Sequence, residues 1–134
     1  TPAEIPKEIF ENKELAKYFL RIFFSCDGGV SITATKTKYP FLIRKVFVSV
    51  KHKKIADGLL ELLKRSGFSP KYYGDQIRLT TKEDITNFKK IGFLNGNKIG
   101  RDSKKFYRKT KNEILHLVIG SYKNPQKTIH ELFS

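Results

Sequence analysis

Leu20-Arg21-Ile22-Phe23-Phe24-Ser25-Cys26-Asp27-Gly28-Gly29 is the stretch from which the rest of the chain reads outward. Upstream, Leu15, Phe19, Ile22 and Phe23 recur at the spacing of one apolar helix face. Downstream, Val30, Ile32 and Ala34 alternate with Ser31, Thr33 and Thr35, the period of a half-buried strand. The period changes at Asp27-Gly28-Gly29, where the glycines suit a sharp passage from helix to strand. A helix C-terminus carries partial negative charge, so Asp27 is mildly unfavourable there unless a cation, such as a divalent metal, comes to it. The plainer alternative makes Asp27 a turn residue bonded to its own backbone.

The helix is expected over residues 13–26, with Asn12 near its cap and residues 1–11, which hold two prolines, as a lead-in. Leu15, Phe19, Leu20, Ile22, Phe23 and Phe24 cover more than one stripe of it. A helix apolar on nearly all sides is buried on both. It is then either the central helix of a larger monomer or an interface helix that brings Asp27 beside its symmetry mate.

Strands are expected over residues 30–36 and 43–51. In the second, Val46, Val48 and Val50 point one way and Lys45, Phe47, Ser49 and Lys51 the other. A helix over 53–66 stops at Gly67. A hairpin of 69–73 and 76–80 turns at Gly74-Asp75, as a type II′ turn allows. Thr81 and Asp84 resemble a capping box opening a helix over 82–91 that stops at Gly92. A basic loop over 93–103 follows, then a helix over 104–119 with Ile114, Leu115 and Val118 inward. Pro125 precedes a short last helix with Ile129, Leu132 and Phe133. One aliphatic and one polar face per strand predict an α+β domain, with a four-stranded antiparallel sheet and helices on one face.

Length and composition set bounds. The 134 residues, 39% hydrophobic, make one domain, with its core over about 12–120 and an extension over 121–134. No apolar run is long enough to cross a bilayer and no signal peptide is visible, so an intracellular site (cytoplasm, nucleoid or organelle) is expected. Thr1 and the lack of methionine predict a processed chain or a piece of a longer one. The lone Cys26 excludes an internal disulfide and a cysteine-based zinc site, and its apolar neighbours predict burial. Twenty-seven Lys and Arg against 13 Asp and Glu give +14, which predicts a polyanionic partner, nucleic acid ahead of a membrane. Lys98, Arg101, Lys104, Lys105, Arg108, Lys109 and Lys111 form one basic run, interrupted by Asp102 and read as a solvated face or a polyanion contact. His52, His116 and His130 lie on separate expected elements, and neither a phosphate loop nor a nucleophile elbow is present.

Leu20 to Gly28 resembles the nine-residue signature of LAGLIDADG homing endonucleases, in the form Leu-Arg-x-Phe-Phe-Ser-x-Asp-Gly. Ile22 stands where that signature usually has glycine, and Ser25 where its first Asp often stands. The element order α-β-β-α-β-β-α also resembles that family, as does Phe88-Lys89-Lys90-Ile91-Gly92-Phe93-Leu94 with the Lys98 after it. The resemblance implies sequence-specific cutting of double-stranded DNA with Mg²⁺, held by Asp27 with Gly28 supplying turn geometry or its carbonyl. Lys98 would stabilise charge, with Lys51 or Arg101 as alternates. Because the signature occurs once, it implies a homodimer joined through Leu15, Phe19, Ile22 and Phe23, or one half of a two-signature chain. A β-branched Ile22 at the crossing would hold the two helices apart.

The polar sheet face gathers Ser31, Thr33, Thr35, Lys45, Ser49, Lys71, Tyr73, Gln76, Arg78 and Thr80, read as solvent-facing residues or as a ribbon entering a major groove. Arg78 is of the type that pairs with guanine and Gln76 with adenine. Lys53, Lys54, Arg101, Lys104 and Lys105 are expected to meet phosphates. Two other functions compete with cleavage. One is a non-cleaving nucleic-acid binder of the same fold, a regulator or intron-splicing helper. The other is a monomeric basic RNA-binding module of ribosomal type.

Overall fold

The structure, a computed structural model, describes residues 4–98, 106 and 109–133. A short helix α1 (Lys7–Glu11) leads into α2 (Lys13–Asp27), where the Asn12 side chain accepts from the backbone N–H of Glu14 and Leu15 at 2.9 and 3.2 Å. Strands β1 (Gly28–Ala34) and β2 (Leu42–Ser49) follow, then α3 (Lys53–Arg65), β3 (Lys71–Tyr72), β4 (Gln76–Leu79) and α4 (Lys82–Phe88). Helices α5 (Lys111–Gly120) and α6 (Pro125–Phe133) complete the described part. The sheet is antiparallel throughout, in the order β1-β2-β4-β3, as the strand faces predicted.

Val30, Ile32, Val46, Val48, Ile77 and Leu79 are buried on the helix side of the sheet with Leu20 and Phe24 of α2 and Leu59, Leu62 and Leu63 of α3. Aromatic rings knit the centre: Phe88 lies 5.0 Å from Phe24 and 5.3 Å from Phe93, centroid to centroid. Residues near both ends of the described chain also join this core. Ile5 is buried against Gly58, where a Cβ would sit 2.9 Å from its Cδ1, and Ile129 of α6 is buried as well. Arg44, on the helix side of β2, donates through Nε to the Ser121 hydroxyl (2.7 Å) and stacks on Tyr122 (3.9 Å), which ties the end of α5 to the sheet.

Several expectations are corrected. β1 starts at Gly28, directly after α2, rather than at residue 30: Gly28 is extended, at φ −139°. Its glycine is required by close approach, since a Cβ would overlap the Phe47 carbonyl oxygen across the β1–β2 pair. Cys26 is exposed, because helical spacing from Leu20 and Phe24 gives the inward position to Ser25. β3 has two residues rather than five, as Pro70 has no N–H to continue the ladder. α4 stops at Phe88, and turns carry the chain to Gly92 at φ 67°. Thr81 caps α4, but Asp84 does not reach back to it and accepts instead from the Ser69 N–H (3.1 Å). The helix expected from residue 104 begins at Lys111, after a full capping box of Thr110 and Glu113. Residues 99–105, 107 and 108 lie outside the described residues, and with them Arg101, Lys104, Lys105 and Arg108.

Candidate functional site

Asp27 is the last residue of α2 and its side chain is exposed. Among the described residues, no hydrogen bond or ion pair engages its carboxylate. What holds the helix end beneath it is Lys111, only 8% exposed at the first position of α5. Its Nζ donates to the carbonyl oxygens of Ser25 (2.7 Å) and Gly28 (2.8 Å). These carbonyls have no helical partner, and an ammonium ion also suits the negative end of the helix dipole. Burial lowers the Lys111 pKa, while the charges of Cys26 and Asp27 work in the opposite direction. Ser25, 2% exposed, fastens the same turn: its hydroxyl donates to the Arg21 carbonyl (2.6 Å) and accepts from the Leu94 N–H (2.8 Å).

Lys111 stood in the basic run without a role of its own. Its signal was nonetheless local: Thr110-x-x-Glu113 is a capping box, which puts Lys111 in a first helical turn, where a cation is disfavoured. Asp27 at a C-terminus and Lys111 at an N-terminus are both misplaced for their own helices, and the fold brings the two ends together.

The expected basic partners, Lys98 and Lys51, are both exposed. Lys98 is exposed and forms an isolated antiparallel bridge with Thr110, the cap of α5. Lys51 is exposed two residues beyond β2, at the end of the sheet where Gly28 pairs with Val48. Among the described residues, neither forms a hydrogen bond or ion pair with Asp27. Gly28, expected to lend a metal its carbonyl, has that oxygen engaged by the Lys111 ammonium. Among the described residues no three His, Cys, Asp or Glu side chains cluster. One unpartnered, exposed carboxylate is a hard oxygen ligand of the kind Mg²⁺ takes with phosphate oxygens and water.

The apolar residues of α2 divide into two sides. Leu20 and Phe24 face the core. Leu15 (43% exposed), Tyr18 (54%) and Ile22 (50%), with half-buried Phe19 and Phe23 and exposed Cys26, form an outward stripe ending beside Asp27. Phe19 and Phe23 stack within it, at 5.8 Å. Four of these residues are the ones expected at a subunit interface, and Tyr18 extends the stripe.

On the far side of the sheet from the helices, cross-strand pairs bring the polar residues together. Ser31 opposes Lys45, Ser49 opposes Gln76, and Lys71 opposes Arg78. Thr33 and Tyr73 are exposed on the same face and Thr80 is half-buried just past β4. This face also carries Ile43 and Phe47, which are apolar. Thr35 falls outside β1; its hydroxyl accepts from the Phe41 N–H (2.9 Å) and shapes the β1–β2 loop. Lys54 pairs with Glu4 at 3.3 Å on the surface, whereas Lys53 is exposed at the start of α3. Lys45 has its pKa lowered by burial and by the nearby Arg78. Among the described residues, the four ion pairs all involve groups on or beside helices, so the cations of this face have no carboxylate partner.

Comparison with known proteins places this geometry. A family model described as a LAGLIDADG-like domain matches residues 14–128. The chain is similar in fold to the LAGLIDADG meganuclease I-AabMI, solved bound to uncleaved DNA, at 19% identity and a TM-score of 0.52, over 86% of this chain and 39% of that one. It is similar also to the I-SmaMI LAGLIDADG homing endonuclease, solved bound to cleaved DNA, at 20% identity and a TM-score of 0.55, over 87% of this chain and 41% of that one. The chain thus spans about two-fifths of the length of these solved relatives. No curated protein matches it significantly.

Proposed function

Because the chain belongs to the LAGLIDADG-like domain family, we propose that it binds double-stranded DNA through the sheet face and, paired with a second such domain, cleaves it. The observation that carries this reading is the outward apolar stripe of α2, which ends at an exposed, unpartnered Asp27. Two stripes packed together would remove Leu15, Tyr18, Phe19, Ile22 and Phe23 from water and bring two aspartates to one place. A second copy of the chain supplies this most simply, and a fused second domain would supply it equally.

Asp27 and its counterpart would then hold divalent ions between the strands to be cut. Such an ion lowers the pKa of its bound water and neutralises charge that develops on the phosphate. The chain's own residues do the rest. Lys111 and Ser25 fix the last turn of α2, so the carboxylate is presented from a rigid end. Lys98 and Lys51 are exposed cations that would approach a phosphate. Ser31, Thr33, Lys45, Ser49, Lys71, Tyr73, Gln76 and Arg78 would face the major groove, while Lys53 and the basic run that includes Arg101, Lys104 and Lys105 would meet the backbone.

A second reading, a binder of the same fold that does not cut, is favoured by one observation. Ile22 stands half exposed in the middle of the stripe, and its branched side chain would hold the two paired helices apart. The two readings are separated by incubating the chain with a supercoiled plasmid library and Mg²⁺. Site-specific nicking that Asp27→Asn abolishes, with duplex binding retained, supports cleavage. Nicking that survives Asp27→Asn refutes the assigned acid. Specific binding by the unaltered chain without nicking establishes the second reading.

A further inference from the structure

Gln76, Arg78, Lys45 and Tyr73 form a small constellation at the centre of the outer sheet face. The Gln76 Oε1 accepts from Arg78 Nε at 2.5 Å and from Lys45 Nζ at 3.5 Å. Both neighbours are donors only, so the amide oxygen must be the atom turned toward them, and its NH₂ must face away. The Arg78 guanidinium lies over the Tyr73 ring at 4.2 Å, which holds its plane. With Nε committed to Gln76, its two terminal NH₂ groups form the free edge. Lys45 is held above Phe47, its Nζ 5.0 Å from the ring centroid.

Pairing glutamine with adenine requires an acceptor for the N6 amine and a donor for N7 at once. Here the acceptor is already in use. We infer that the centre of the sheet is a donor-only reader, which selects guanine, with N7 and O6 both acceptors, and does not read adenine through Gln76. This rests on the proposal that the sheet face enters the major groove. Electrostatics act in the same direction: Lys45 and Arg78 oppose one another across a single neutral oxygen, and the electron-rich edge of guanine relieves that repulsion. The adenine pairing expected from the residue type of Gln76 is thereby replaced by a bridging role, in which Gln76 positions Arg78.

The test is selection from a randomised duplex pool, followed by sequencing, with the unaltered chain, Arg78→Ala and Gln76→Leu. Circular dichroism first confirms that both variants remain folded. Guanine is expected to be enriched at the position that responds to Arg78→Ala, and its preference there should fall on the order of 10- to 100-fold in that variant. Gln76→Leu should weaken the preference at that same guanine and change no adenine position. An adenine whose selection disappears in Gln76→Leu overturns the inference, as does a position governed by Arg78 that is not guanine. A pool from which the unaltered chain enriches no sequence at all overturns the groove-reading proposal itself, and this inference with it.

Discussion

Replacing Lys111 with methionine tests how the acid-bearing helix end is held. Methionine keeps most of the aliphatic length and removes only the ammonium group. Two charge-assisted hydrogen bonds, to Ser25 and Gly28, would be lost. Each is worth about 1.5–3 kcal/mol, or a gross loss of roughly 3–6 kcal/mol. Two effects reduce this. The ammonium is itself buried at a cost, as its lowered pKa records, and the variant escapes that cost. Gly28 is also half-buried, so water can reach part of its carbonyl. A net destabilisation of about 2–4 kcal/mol is expected, read as a shift of the urea midpoint at unchanged slope. Amide exchange should accelerate in the last turn of α2 and in the first residues of β1, and much less in α3. A variant within about 0.5 kcal/mol of the unaltered chain, the range of ordinary surface substitutions, would refute the idea that this ammonium closes the helix.

Four further outcomes follow from the same geometry. Ile22→Asp places a charge in the exposed middle of the α2 stripe, so it should abolish self-association in sedimentation and make the unfolding midpoint independent of protein concentration; a persistent dimer would place the interface elsewhere. Gly28→Ala forces a Cβ against the Phe47 carbonyl oxygen and should cost on the order of 3 kcal/mol in denaturant titrations. The Glu113 pKa is lowered by its hydrogen bonds to the Thr110 backbone and side chain. The stability it contributes is therefore present above the ordinary carboxylate value of 4.5 and is lost as pH falls through its folded-state value. The difference in thermal midpoint between the unaltered chain and Glu113→Gln should accordingly close on acidification. Duplex affinity should fall with salt at a logarithmic slope on the order of −5 to −7 if six to eight phosphates are neutralised; a shallow slope would remove the basic run from the interface.

Much of the domain could be read without coordinates because its signals are local. Asn12 before a run of helical spacing, strict alternation in Val46-Phe47-Val48, and Gly74-Asp75 between two strands each fix an element within a few residues. The signature helix and its terminal acid stood out for the same reason. Where a boundary slipped, a neighbour outside the window decided it: Asp84 turned to the Ser69 N–H, and helix α5 waited for the capping box at Thr110.

What the sequence determined by itself, then, was the order of elements from α2 onward, the two faces of each strand and the place of Asp27, since periodicity assigns side chains to faces one segment at a time. It could not tell which side of an all-round apolar helix is covered. Packing decided that, burying Leu20, Phe24 and Ser25 and leaving Leu15, Tyr18, Ile22 and Cys26 outside. Nor could it pair Lys111 with a helix end 83 and 86 residues earlier, or lock the Gln76 oxygen between Arg78 and a lysine 31 residues away. Hydrogen-bond partners so far apart in the chain are chosen only when the layers come together, because a buried donor or acceptor must then be satisfied by whatever group the fold brings within reach.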